Sequence, residues 1–121
     1  MNKSEHNIKN EILLEFGQDS MIYIQNQPTG VFRAMDSERR IRIGNPGQSD
    51  LLAVVAVTIT PEMVGSTIGS AVFIETKTAK GTQRDSQKLF QHAVQKRGAL
   101  YFLARSVDDV RFALAKLRNC K

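Results

Sequence analysis

Tryptophan is absent from the 121 residues, cysteine occurs once and proline three times. The single cysteine, Cys120, excludes an internal disulfide and any cysteine-built zinc site. Two histidines, His6 and His92, stand far from it and from each other in the chain, which argues against a transition-metal centre. Long apolar runs are missing too. Leu51 to Val57 is the longest, well short of the ~20 residues that a spanning helix needs. The first ten residues, MNKSEHNIKN, are polar and hold no apolar signal-peptide region. The expectation is an intracellular protein of a reducing compartment, the cytoplasm. Repeats, low-complexity tracts and linkers are absent as well. Length and composition (41% hydrophobic, 24% charged) then give one globular domain over residues 1–121.

Charge is what the chain has in excess. Seventeen basic residues face twelve acidic ones, a formal +5. The distribution is uneven. Residues 1–32 carry two Lys and four acids, whereas residues 33–121 carry the other fifteen basic and eight acidic residues, a net +7. A basic body suits a polyanion, nucleic acid being the commonest, although solubility alone also produces such a balance. With only six Phe and two Tyr, a single-strand stacking platform is disfavoured and backbone recognition of duplex or branched DNA is favoured.

The local signals are clear in order. Ser4 is an N-cap for a first helix and Gly17 its stop. Met21–Asn26 reads as a strand and Gln27-Pro28-Thr29-Gly30 as a turn. Val31–Met35 and Arg40–Ile43 read as short strands around a charged hairpin tip. A Gly44–Gly47 loop leads into Leu51–Ile59, a β-branched strand expected to be buried on both faces. Thr60-Pro61-Glu62 starts one helical turn that Gly65 stops. Ala71–Thr78 is a second central strand. Thr82-x-x-Asp85 opens a helix running to Gly98, with Phe90, Ala93, Val94 and Arg97 at helical spacing. Ala99–Arg105 is a further strand. Ser106-x-x-Asp109 opens a last helix with Val110, Ala113, Leu114 and Leu117 on one face. The order α, five β, then α-β-α predicts a mixed α/β fold. Its centre is a mixed β-sheet flanked by helices, with one right-handed parallel crossover.

Chemistry gathers on the second central strand. Strand period places Glu75 and Lys77 on one face of an apolar segment, where burying both costs several kcal/mol unless compensated. A divalent cation on the glutamate, a salt bridge between the two, or simple fraying of the strand end would each serve. If Leu51–Ile59 pairs antiparallel with Ala71–Thr78, Asp50 comes beside Glu75 and Lys77. Two carboxylates with a lysine suit a hard cation such as Mg²⁺ or Mn²⁺. Asp50 reads equally well as a turn-capping residue after the glycine loop. On the first helix, Ile8, Ile12, Leu13 and Phe16 form the apolar stripe; Glu5 falls within it, while Glu11 and Glu15 read as solvated. Gln87 borders the inward face of its own helix.

Taken together, Gly44-x-x-Gly47-x-Ser49-Asp50-Leu51-Leu52, Phe73-Ile74-Glu75-Thr76-Lys77-x-x-x-Gly81, Gln87-x-x-Phe90, Gly98-Ala99 and Ser106-x-x-Asp109 resemble the VRR-NUC family. These are the virus-type replication-repair nucleases, a branch of the PD-(D/E)xK superfamily. Upstream, Ser4-Glu5-x-x-Ile8 with Ile12-Leu13 resembles that family's first helix, and Asn26-x-x-Thr29-Gly30 its post-strand turn. Ile59–Gly65 resembles the insert of its phage-type, stand-alone members. Ser49 precedes Asp50 where the family name has Pro, and Gln25 stands where a basic residue is expected.

The resemblance implies a restriction-endonuclease-like core and metal-dependent hydrolysis of phosphodiester bonds in branched DNA. The activity would be Holliday-junction resolvase-like, serve replication, repair or recombination, and be carried out by a homodimer. It implies Asp50 and Glu75 as metal-binding acids, the Thr76 backbone carbonyl as a further ligand and Lys77 as the active-site lysine. Glu5 would be the extra acid of the first helix, and Gln87 the helix glutamine that holds Lys77 or the water in line. Arg33, Arg39, Arg40 and Arg42 near the hairpin, and Lys80, Arg84 and Lys88 around the active strand, are the expected phosphate contacts. A non-catalytic DNA-binding or assembly protein on the same fold is the alternative.

Overall fold

The computed structural model describes residues 3–118, so Cys120 lies outside them. Among the described residues, three helices and six short strands make a mixed α/β protein, in the expected chain order. The chain forms two compact units, Met1–Ala56 and Val57–Lys121.

In the first unit, helix α1 (Glu5–Phe16) starts where Ser4 Oγ accepts the Asn7 N–H at 3.1 Å, which satisfies one orphan donor of the first turn. The Gly17 N–H closes its end on the Leu13 carbonyl. Strands β1 (Ile22–Asn26), β2 (Gly30–Arg33), β3 (Arg40–Ile43) and β4 (Leu51–Val55) follow. β1 pairs antiparallel with β4, from Ile22↔Val55 to Asn26↔Leu51, and β2 with β3, from Gly30↔Ile43 to Arg33↔Arg40. Helix α1 packs on β1, and Ile12 and Leu13 are half-buried. Glu5, expected to face inward, is exposed. Ile8 and Phe16 on its stripe are also more than 40% exposed.

Gly44 ends the β2–β3 ribbon with φ +74°, and a Cβ there would stand 2.7 Å from Thr29 Cγ2 and 3.2 Å from the Pro28 carbonyl oxygen. Both the left-handed backbone and the close approach require glycine. Gly44→Ala is expected to cost about 1–3 kcal/mol, read by urea unfolding followed by far-UV circular dichroism.

The second unit opens with a 3₁₀ turn, Pro61–Met63, preceded by Thr60 as N-cap, with Pro at the start and Gly65 at φ +91° just beyond. The Glu62 backbone N–H, and then Thr60, hold the Glu62 carboxyl below the usual carboxylate range. Strand β5 (Val72–Thr76), helix α2 (Asp85–Gln95), strand β6 (Leu100–Ala104) and helix α3 (Val107–Arg118) complete it. β5 and β6 are parallel, from Val72↔Leu100 to Thr76↔Ala104, as a β-α-β crossover requires. Val94 on α2 is wholly buried, and Ala99 and Ala104 nearly so; they form the core of this unit. On α3 the half-buried residues are Val110, Ala113, Leu114 and Leu117, the expected face.

Among the described residues the strands pair as β1–β4 and β2–β3 in the first unit and as β5–β6 in the second. One expectation fails: Leu51–Ile59 is not a strand buried on both faces. It ends at Val55, only Val54 is buried, and Val55, Val57 and Ile59 are exposed. A β-branched run dictates extended backbone, but its burial depends on what packs over it. Among the described residues no helix is long and apolar enough to cross a membrane.

Candidate active site

The parallel ladder fixes which groups β5 presents. Leu100 N–H donates to the Ala71 carbonyl and Lys77 N–H to that of Ala104, both at 3.0 Å. In a parallel pair alternate residues bond the same neighbour, so Phe73, Glu75 and Lys77 bond toward β6. The Thr76 carbonyl, the expected backbone ligand, therefore lies on the opposite edge of β5.

Side chains alternate too, and the odd face of β5 meets α2. Phe73 packs edge-on against Phe90, ring centroids 5.2 Å apart, and Phe90 lies 6.2 Å from Tyr101 of β6. Glu75 is next on that face. Its Oε1 accepts a 2.6 Å hydrogen bond from Gln87 Nε2 and lies 3.6 Å from Lys77 Nζ. The Glu75 side chain is 29% exposed and that of Lys77 14%. Gln87 is itself held, because its Oε1 accepts the Arg84 N–H at 2.9 Å in the first turn of α2. One amide thus caps the helix start and fixes the carboxylate. Gln87 was expected to hold Lys77 or the water in line; its Oε1, the atom that could accept from an ammonium, takes the Arg84 N–H, and its Nε2 donates to Glu75. Gln87→Leu strands both partners and is expected to cost about 1–3 kcal/mol, measured by chemical denaturation.

These residues border a cavity of about 290 Å³ whose walls include Phe73, Phe90 and Tyr101, with Glu75, Ser86 and Gln87 as its polar part. Sequence reasoning missed one contributor beside it. Thr76↔Ala104 pairing brings the residues after each strand, Lys77 and Arg105, to the same end of the sheet. Arg105 Nη1 donates to the Gly81 carbonyl at 2.9 Å and to that of Thr78, which ties down the turn after Lys77. The Arg105 N–H is in turn bonded to Asp109 Oδ2 at 2.8 Å, and the Asp109 N–H to Ser106 Oγ at 3.2 Å. The expected parallel crossover was the signal that would have found it, since such a unit aligns the carboxyl ends of its strands.

Asp50 belongs to the first unit, at the entry to β4. Its carbonyl accepts the Gln27 N–H at 2.8 Å. The turn is capped by its neighbours: Gln27 Nε2 donates to Ser49 Oγ at 3.1 Å, and Ser49 Oγ donates to the Leu51 carbonyl at 2.9 Å. The exposed Asp50 carboxylate has no such duty and no bonded partner among the described residues. Glu5 stands at the start of α1 in the same unit. Arg33, Arg39, Arg40, Arg42, Lys80, Arg84 and Lys88 are all exposed.

The donor chemistry suits a hard cation. Glu75 engages its neighbours through Oε1, which leaves Oε2 for a ligand. A carboxylate oxygen of that kind is a donor that Mg²⁺ takes while it keeps several waters. Among the described residues no group of three or more His, Cys, Asp and Glu side chains converges on a metal position. No protein-family model, curated protein or solved structure matches the chain.

Proposed function

We propose that this protein is a Mg²⁺- or Mn²⁺-dependent endodeoxyribonuclease of the VRR-NUC type, with a restriction-endonuclease-like core, that cuts branched DNA. The observation that carries the reading is the grouping of Lys77 and Gln87 on one carboxylate oxygen of Glu75, beside a cavity. An acid and a base on the inner face of a short strand, fixed by a glutamine that is itself fixed, are arranged for proton and phosphate chemistry. The resemblance in sequence adds Asp50 as the second acid, with the Thr76 carbonyl and Glu5 as further ligands.

When bound, the cation would polarise a phosphate and acidify a water. The chain's own groups do the rest. Gln87 holds Glu75 through Oε1, which leaves Oε2 for the cation. Lys77, mostly buried and close to Glu75, orients the attacking water through its ammonium and offsets charge that grows on the phosphate. The exposed basic residues hold the DNA backbone. A two-fold dimer would supply the two cuts that a symmetric junction needs, with the work done in the host cytoplasm. A monomer by light scattering at micromolar concentration removes the dimer from this account.

One observation favours a second reading, a non-catalytic DNA-binding or assembly protein. Lys77 and Gln87 already engage one oxygen of Glu75, as a purely structural ion pair and hydrogen bond would. Incubation with a four-way junction, a flap and linear duplex, in Mg²⁺ or Mn²⁺ and then in EDTA, separates the two. Cutting that EDTA abolishes supports the nuclease, and binding without cutting supports the alternative.

A further inference from the structure

The β2–β3 ribbon segregates its side chains. In an antiparallel pair, directly opposed residues share a face and successive residues alternate. The register Val31↔Arg42 and Arg33↔Arg40 therefore puts Arg33, Arg40 and Arg42 on one face, with Val31 as its single apolar residue. Phe32, Ile41 and Ile43 take the other. No acid lies on either strand; Asp36 and Glu38 sit in the connecting tip. Arg33 is ion-paired with Glu38, both largely exposed, while Arg40 and Arg42 have no ion-pair partner among the described residues.

We propose that this ribbon enters the major groove of B-form duplex DNA with its arginine face toward the nucleic acid. The inference deepens the nuclease reading and rests on it for the choice of DNA as the polyanion. Three physical points single out the partner. A two-stranded β-ribbon fits the B-form major groove, whereas the deep, narrow major groove of duplex RNA excludes it. Arg40 and Arg42, two strand residues apart, stand about 7 Å apart, close to the spacing of successive phosphates on one strand. Guanidinium is also the group suited to bidentate contact with phosphate and with the guanine edge that this groove displays. The exposed Arg33–Glu38 pair is worth little, so Arg33 exchanges Glu38 for a phosphate at small cost.

The test uses the full chain in EDTA, where cleavage plays no part, and a fluorescently labelled DNA duplex with a duplex RNA of the same sequence. Each phosphate contact is worth about 0.9 of salt slope, hence about tenfold in affinity at 0.1 M salt. Arg40→Ala/Arg42→Ala is expected to weaken DNA binding on the order of a hundredfold there and to flatten the slope by about 2. Glu38→Gln should tighten binding. Dimethyl sulfate footprinting of the wild-type complex should protect guanine N7 in the major groove, a readout that does not depend on any variant folding. Unchanged affinity and slope in a folded double variant would overturn the proposal. So would protection confined to adenine N3 in the minor groove, or duplex RNA bound as tightly and as sensitively to the two arginines. Failure of the ribbon leaves Mg²⁺-dependent cutting by the wild type intact. Failure of the nuclease reading abolishes cutting and leaves the arginine dependence of binding in place.

Discussion

Glu75→Gln, Lys77→Met and Asp50→Asn should each lower Mg²⁺-dependent cleavage of a four-way junction by about 10²–10⁴-fold. Each replacement keeps size and removes charge. Glu75→Gln retains an oxygen to accept from Gln87 but loses the anion that a cation and Lys77 both require. Lys77→Met keeps the aliphatic packing of a side chain only 14% exposed and removes the ammonium. Asp50→Asn is the cleanest of the three, because its carboxylate is exposed and bears no structural hydrogen bond among the described residues. Its effect on stability should stay within about 0.5 kcal/mol. Single-turnover cleavage on denaturing gels, beside thermal melts of the same samples, reads both quantities. Wild-type-like cutting by any variant removes that residue from the chemistry.

Val94→Asp should unfold the second unit outright. Val94, on α2, is the largest side chain of the described residues with no solvent exposure. An unpaired carboxylate there costs about 4 kcal/mol or more, a large part of the ~5–15 kcal/mol that holds a typical domain together. Val94→Ala, by contrast, costs only about 1–2 kcal/mol of lost burial and cavity. The two separate on a thermal melt followed by far-UV circular dichroism. Acidity gives a second check. A buried Asp titrates above its unfolded value, so the penalty of the variant relative to wild type grows as pH rises and shrinks toward about pH 4.

Elements proved legible where local chemistry writes them. Ser4, the Thr60-Pro61 start, the Ser106/Asp109 pair and the stop at Gly98 each act on backbone groups a few residues away, and the sequence carries them directly. The parallel β5–β6 pair followed from the helix between them. The length and burial of β4 were not legible, because an apolar run advertises that it is extended and not what covers it. Period-two spacing found the Glu75–Lys77 pair. The position of Gln87 came from its helix, but its true partner depended on one hydrogen bond at the first turn of α2. Glu5 misled for a related reason: an apolar stripe marks the face a helix would bury, and α1 buries little of its first turn.

The ribbon is spliced between two strands that are already paired to each other. Asn26↔Leu51 ends the β1–β4 ladder, the Gln27 N–H to Asp50 carbonyl bond seals it, and glycines with positive φ at positions 30 and 44 bracket what lies beyond. Residues 30–44 therefore form a cassette. It can be lengthened, shortened or replaced by a tight turn without moving the register beneath it. On the proposed function, swapping that cassette would retarget the protein to a different nucleic-acid shape while Asp50, Glu75 and Lys77 keep their places in the chain.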